Sequence, residues 1–87
     1  MGAASPPAPP VKRSVTIAGH ETSIALEPIF WAALEDAAAA QRLPLNALIA
    51  RIDAQRLEGS KAANLASAIR QWLFVRALRG GQDRVSE

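Results

Sequence analysis

Several residue types that commonly carry catalysis are absent or rare in this sequence. It contains no cysteine and no tyrosine, and its one histidine is His20. Without cysteine the chain has neither a disulfide framework nor a thiolate site. His20 falls beside Gly19 in a predicted turn, and Glu35 and Asp36 are adjacent on a predicted helix, where adjacent side chains diverge. Phosphate-binding loops, metal-ligand spacings and nucleotide fingerprints are missing too, so we expect no enzyme, no metal and no other cofactor.

Long hydrophobic runs are also missing. The apolar stretches are too short to span a membrane, and the first residues lack the charged start and apolar centre of a signal peptide. We therefore expect a cytoplasmic protein with no membrane contact and no small-molecule substrate. Ten Lys and Arg against eight Asp and Glu give a net charge of +2, which permits nucleic-acid binding without requiring it. A chain of 87 residues has a marginal core, and self-association would enlarge it.

The hydrophobic period changes from two to about three and a half along the middle of the chain. Thr22, Ile24 and Leu26 alternate with small or polar residues, as expected for a half-buried strand. Helical spacing begins near Trp31, and a second helical pattern starts after the break at Leu43-Pro44. One strand followed by two short helices cannot close a sheet alone, so we expect a second copy of the chain to supply the partner strand.

The stretch from Glu21 to Ile52 resembles a ribbon-helix-helix domain, the fold of small dimeric bacterial repressors of the Arc, MetJ and CopG type. The run K-R-S-V-T-I-A-G-H-E-T-S-I-A-L-E-P-I-F-W-A-A-L, followed by L-N-A-L-I-A-R-I-D, also resembles a subset of short bacterial proteins, predicted to bind DNA, with an extra segment before the ribbon. The resemblance implies an α+β homodimer that regulates transcription by inserting paired strands into the major groove of double-stranded DNA.

The segment before the ribbon is predicted to complete a β-hairpin. Ala18-Gly19-His20-Glu21 forms its turn in this prediction, and the register places Ile17 opposite Thr22, Val15 opposite Ile24 and Arg13 opposite Leu26. Apolar side chains then share one face and hydroxyl side chains the other. If a dimer sheet contained four such strands, about 4.8 Å apart, it would be wider than the major groove of about 12 Å and would obstruct standard insertion.

The remaining organisation follows from the proline, glycine and capping residues. We expect a disordered Pro/Ala-rich arm over 1–11, a ribbon-helix-helix domain with an extra C-terminal helix over 12–79, and a flexible tail over 80–87. Pro28 favours the start of the first helix, and Asn64 is a suitable N-cap for the third. Gly80-Gly81 is expected to end the third helix.

Three groups of residues are the candidate DNA contacts. By resemblance, outward strand residues contact base edges, and the start of the second helix binds a backbone phosphate. The third group is an adjacent basic pair before the ribbon. These two residues either bind phosphates as well or discourage aggregation at a strand edge. In chain order the candidates are Lys12, Arg13, Glu21, Ser23, Ala25, Leu45 and Asn46.

The apolar face of the strand and helices is predicted to form the core of the dimer. Its members are Ile24, Leu26, Trp31, Leu34, Leu48, Ile49 and Ile52. Trp31 and Trp72 fall on apolar helical stripes, so core packing is a simpler interpretation than base stacking. A second apolar side of the third helix, with Phe74 and Leu78, leaves a surface for a further protein contact or a higher oligomer. The alternative function is therefore an interaction or dimerisation module that keeps this fold without binding DNA.

Overall fold

The structure is a computed structural model that describes the backbone of residues 8–58 and 64–85 and the side chains of residues 8–56 and 64–80. Its elements, in chain order, are β1 (Val11–Ile17), β2 (His20–Leu26), α1 (Pro28–Ala40), α2 (Leu45–Glu58) and α3 (Leu65–Val85). The α+β class, the N-terminal hairpin and the extra C-terminal helix are thus confirmed. Most of the predicted arm lies outside the described residues, and Val11 already belongs to β1.

β1 and β2 form an antiparallel two-stranded sheet joined by a two-residue loop. The loop residues Ala18 and Gly19 have φ angles of 51° and 82°, and two positive values are typical of a type I′ turn, whose twist suits a hairpin. The predicted register is wrong, because Ile17 lies opposite His20 rather than Thr22. The shift is two residues, and an even shift leaves every side chain on the face to which alternation assigned it.

Both ends of α1 follow from local backbone chemistry. Pro28 occupies the first turn, where its missing N–H costs nothing. At the other end Arg42 has a φ of +57°, the left-handed conformation. The backbone N–H of Leu43 donates to the carbonyl of Ala38 and that of Arg42 to Ala39, which is the Schellman arrangement that ends many helices.

α3 begins where the sequence predicted but ends later. The backbone N–H of Ser67 donates to Oδ1 of Asn64 at 2.7 Å, so Asn64 caps the helix as expected. The predicted stop at Gly80-Gly81 is wrong, because α3 continues to Val85. A glycine inside a helix costs about 1 kcal/mol relative to alanine, but it keeps the backbone N–H that extends the helix.

The core is closed within one chain. α2 packs on β1, α3 packs on β2, and α1, α2 and α3 pack on one another. The buried side chains are Ile24, Leu26, Trp31, Leu34, Ala37, Ala38, Leu48, Ile49, Ile52, Ile69 and Leu73. β1 therefore supplies the pairing strand that the sequence led us to expect from a second copy. None of the described helices is long and apolar enough to cross a membrane.

Candidate nucleic-acid interface

The outward face of the hairpin presents six side chains in three facing pairs. Alternation along each strand sends every second side chain away from the helices. The pairs are Lys12 with Ala25, Ser14 with Ser23, and Thr16 with Glu21. All of these residues are exposed except Ala25, which is partly buried. The apolar side chains of Ile24 and Leu26 face inward and are buried, so the two faces of the hairpin differ sharply in polarity.

The chemistry of the outward face is that of small hydroxyl groups flanked by opposite charges. Ser14 and Ser23 lie at the middle, with Lys12 toward the open end of the hairpin and Glu21 toward the turn. Hydroxyl groups both donate and accept hydrogen bonds, so they can contact any base edge. Because these side chains are short, the backbone can approach a ligand closely. The face is therefore polar rather than apolar.

Lys12 and Arg13, which the sequence suggested as one basic pair, lie on opposite faces of β1. Lys12 is on the outward face. Arg13 is directed toward α1, where its Nη1 donates a hydrogen bond to Oε2 of Glu35 at 3.0 Å and its guanidinium lies 4.5 Å from the centroid of the Trp31 ring. The structure therefore brings only Lys12 of this pair to the outward face.

Trp31 also fixes β1 by a hydrogen bond. Its Nε1 donates to the backbone carbonyl of Val11 at 2.9 Å, and its side chain is buried. The indole satisfies its donor while the ring packs in the core, as buried tryptophans usually do. Trp31 is thus a core residue, as predicted. Trp72 is partly buried against the same core, with the guanidinium of Arg76 at 6.0 Å from its ring centroid.

The start of α2 has the geometry of a helix N-terminus open to solvent. Asn46 is exposed and Leu45 is partly buried. The carbonyl of Pro44 accepts hydrogen bonds from the N–H groups of Ala47 and Leu48 at 3.0 and 3.2 Å. The N–H groups of Leu45 and Asn46 come before these bonds, so they are among the helix donors that have no partner within the helix. Such donors and the helix dipole favour an anion at this position.

The basic side chains are distributed between ion pairs and the surface. Arg13 pairs with Glu35, Arg56 with Asp53 and Arg70 with Glu27. The last pair is held by two hydrogen bonds, from Nε and Nη2 of Arg70 to the two carboxylate oxygens at 3.0 and 3.3 Å. Hydrogen bonding from its own backbone, and then Arg70, lower the pKa of Glu27. The Arg13–Glu35 pair joins β1 to α1, and the Arg70–Glu27 pair joins the β2–α1 connection to α3.

The seven residues predicted as a dimer core are all buried in the single chain, with exposed fractions between 0% and 3%. Their burial requires no second copy. Among the side chains that the structure describes, the large apolar ones that stay exposed lie elsewhere: Val11, Ile29, Phe74, Val75 and Leu78. Three of these belong to α3, between Phe74 and Leu78, which supports the second apolar side predicted for that helix.

Ser14 and Thr16 were not among the candidate contacts derived from the sequence. Alternation had placed both on the hydroxyl face, and this signal was sufficient to include them. The resemblance implies base contacts only from the strand next to the first helix, and Ser14 and Thr16 lie on the other strand. Within the part of the chain that the structure describes, no group of three or more His, Cys, Asp or Glu side chains could hold a metal ion.

Comparison with known protein families gives a match. A model described as "Ribbon-helix-helix domain" matches residues 10–77, which is most of the chain. The matched range includes β1 and most of α3 together with β2, α1 and α2. No curated protein and no solved structure matches the chain significantly.

Proposed function

Because the chain belongs to the ribbon-helix-helix domain family, we propose that it is a small dimeric DNA-binding protein that regulates transcription. Domains of this family are commonly DNA-binding transcription regulators and typically form dimers. In this proposal the outward face of the β-ribbon enters the major groove of double-stranded DNA. The observation that carries it is the outward face itself, which is polar and largely exposed, whereas Ile24 and Leu26 on the opposite face are buried.

The dimensions of the ribbon support this placement. Two paired strands lie about 4.8 Å apart, and the major groove is about 12 Å wide, so a two-stranded ribbon fits. Ser23 would hydrogen-bond to a base edge, Ala25 would contact a thymine methyl group, and Glu21 would accept from a cytosine amino group. Lys12 would bind a phosphate at the rim of the groove.

A second phosphate contact is proposed at the start of α2. The N–H groups of Leu45 and Asn46 would bind a backbone phosphate, with the helix dipole favouring the negative charge. Such contacts position a protein on DNA without reading the sequence. They also release counterions, so the affinity should fall steeply as salt concentration rises. Arg13 has a different role in this proposal, because its guanidinium is engaged by Trp31 and Glu35.

We propose that the dimer contact includes α3. The single chain already buries its core, so the apolar area left for a second copy is at the surface. Phe74 and Leu78 are 65% and 58% exposed and lie four residues apart, on one side of the helix. A second copy that covers them would also bring a second ribbon, as binding to a palindromic site requires.

A binding titration tests the proposal. Purified chain is titrated against duplexes selected from a random pool, at low and near-physiological salt. The proposal predicts saturable binding, a steep salt dependence and a recoverable preferred sequence. Glu21→Arg should change the preferred sequence, whereas Asp36→Arg is the matched control: it makes the same charge change at an exposed site on α1. Equal effects of the two substitutions would mean that only net charge matters.

The second candidate is a protein-interaction module that does not bind DNA. The exposed apolar side chains of α3 favour it, and so does Glu21, whose carboxylate is repelled by phosphates. Under this alternative a folded chain would fail to bind duplex DNA even at low salt. The same titration therefore discriminates between the two functions.

A further inference from the structure

Two exposed arginines lie at the corner between the first two helices: Arg42 in the turn after α1, and Arg51 on α2. We infer that their side chains bind phosphates of the DNA backbone, outside the groove that the ribbon enters. The inference rests on the proposed function and deepens it, because it assigns a source of affinity that does not depend on base sequence. The contacts proposed above use the ribbon and backbone N–H groups, whereas these two use side chains of the corner.

The first argument is that the charge of this corner is not neutralised. The sequence has no acidic residue from Ala37 to Ile52, and the next one, Asp53, pairs with Arg56 at 2.7 Å. Among the side chains that the structure describes, neither Arg42 nor Arg51 takes part in an ion pair. The corner therefore presents two full positive charges at the surface, which attract an anion.

The second argument is that Arg51 is oriented by a neutral partner. Its Nη1 donates a hydrogen bond to Oε1 of Gln41 at 3.1 Å. An amide oxygen accepts this bond without cancelling the charge, and a guanidinium has five N–H donors, so most of them stay available. Gln41 directly precedes Arg42, so this bond holds the guanidinium of Arg51 beside the turn that carries Arg42. A planar guanidinium binds a phosphate through two parallel hydrogen bonds.

The third argument is the backbone conformation of Arg42. Its φ of +57° is left-handed, and it occupies the position after a helix end where glycine is the usual residue. A residue with a Cβ atom is disfavoured in this conformation, because the Cβ atom comes too close to the following carbonyl oxygen. Backbone strain of this kind is concentrated at functional positions. An exposed, charged side chain at a strained position is better explained by binding than by stability.

The fourth argument is the position of the corner relative to the phosphate contact proposed at Leu45 and Asn46. Arg42 lies two residues before Pro44, whose carbonyl accepts the first hydrogen bonds of α2. Phosphates follow one another along each DNA strand, about 3.4 Å apart along the helix axis. A basic surface beside one phosphate contact can therefore reach the next phosphates of the same strand. Such contacts hold the protein on every duplex, whatever its base sequence.

Arg42→Gly tests the inference, because binding and stability should change in opposite directions. Glycine adopts a left-handed φ without strain, so the midpoint of thermal unfolding should rise by a few degrees. Loss of one phosphate contact should weaken binding about fivefold near physiological salt, and it should reduce the slope of log K against log salt concentration by about 0.9. The loss should be equal on the selected duplex and on a duplex of unrelated sequence, since phosphates carry no sequence information.

Three further variants of the full chain complete the experiment. Arg51→Gln should also reduce the slope by about 0.9, because it removes the second charge of the corner. Arg42→Lys should keep the wild-type slope, since an ammonium group also binds phosphate. Arg79→Gln is the matched control: it removes an exposed arginine of α3, away from the corner, and should leave the slope unchanged.

The outcomes separate this inference from the proposed function. If the wild-type chain binds its selected duplex and both Arg42→Gly and Arg51→Gln keep the wild-type slope, the inference is overturned and the proposed function stands. An equal fall of the slope in Arg79→Gln would show that only net charge matters, and a loss confined to the selected duplex would indicate base contacts; either result overturns the inference. If the wild-type chain binds no duplex at low salt, the proposed function fails and the inference fails with it.

Discussion

The guanidinium of Arg13 lies 4.5 Å from the centroid of the Trp31 ring, and the Trp31 indole in turn donates to the backbone of Val11. These two contacts join the open end of β1 to the first helix. An arginine over an aromatic face is favoured by the ring quadrupole and by dispersion. The hairpin is thus tied to the core at the end away from its turn. The outward face depends on this attachment, because β1 supplies half of its side chains.

Replacing Arg13 should affect the stability of the fold, whereas replacing Lys12 should affect DNA binding. Arg13→Ala removes the contact with Trp31 and the partly exposed ion pair with Glu35, so we expect the free energy of unfolding to fall by about 1 kcal/mol. Lys12→Ala removes a charge from the outward face, so it should weaken DNA binding and reduce the salt dependence with little effect on stability. Urea denaturation and DNA titration of both variants measure the difference. Equal stability losses in the two variants would contradict the assignment of faces.

The hairpin register can be tested with engineered disulfides, since the natural sequence contains no cysteine. Ser14 lies opposite Ser23 in the structure, whereas the sequence-based register paired Ser14 with Ala25. Ser14→Cys/Ser23→Cys should oxidise readily to an intrachain disulfide, because facing residues have suitable Cβ separation. Ser14→Cys/Ala25→Cys is the matched control, whose diagonal separation is too long for an unstrained bond. Non-reducing electrophoresis measures the rate at which each disulfide forms. Faster oxidation of the control would show that the register is wrong.

The pair between Glu27 and Arg70 predicts a particular loss of stability in acid. Hydrogen bonding from its own backbone, together with Arg70, lowers the pKa of Glu27 from its ordinary value of 4.5. A carboxyl with a lowered pKa in the folded state stabilises the fold above the unfolded pKa, and that contribution disappears as the pH falls through the folded pKa. Unfolding midpoints measured from pH 6 downward should therefore decline more steeply below about pH 4.5 for the wild type than for Glu27→Gln. Glu21→Gln, which removes an exposed carboxyl from the outward face, should follow the wild type.

The exposed apolar side of α3 predicts the effect of a charge placed there. Leu78→Lys should weaken the proposed dimer, because a lysine at a covered apolar contact loses hydration without gaining a partner. The fold of each chain should survive, since Leu78 is 58% exposed. Ala39→Lys, at an exposed position near the end of α1, is the control. Light scattering over a range of concentrations measures the association, and a dimer that is unaffected by Leu78→Lys would place the contact elsewhere.

The parts of the fold that the sequence predicted depend on strong local signals. The alternation around Ile24 and the prolines Pro28 and Pro44 identified β2 and the starts of both helices, because side-chain period and proline chemistry act within a few residues. The hairpin was predicted, but its register was not. Ala18 adopts a left-handed φ that alanine normally avoids, so the sequence did not indicate the short loop.

The candidate site was predictable to a similar extent. Alternation placed Ser14, Thr16 and Ser23 on one face, and the structure agrees. The role of Arg13 was not predictable, because its partner Glu35 is 22 residues away in sequence and the contact exists only after α1 packs against the sheet. The closure of the core within one chain was also missed. It depends on how β1 and α3 pack, which no local pattern specifies.

Methylation interference tests the central claim most directly. Dimethyl sulfate modifies guanine N7 in the major groove and adenine N3 in the minor groove, and the selected duplex is partially methylated before the chain binds it. The account predicts that methylated guanines within the selected site exclude the duplex from the complex, while methylated adenines are tolerated. Interference confined to adenines, or the absence of saturable binding at low salt, would contradict a ribbon that reads DNA from the major groove.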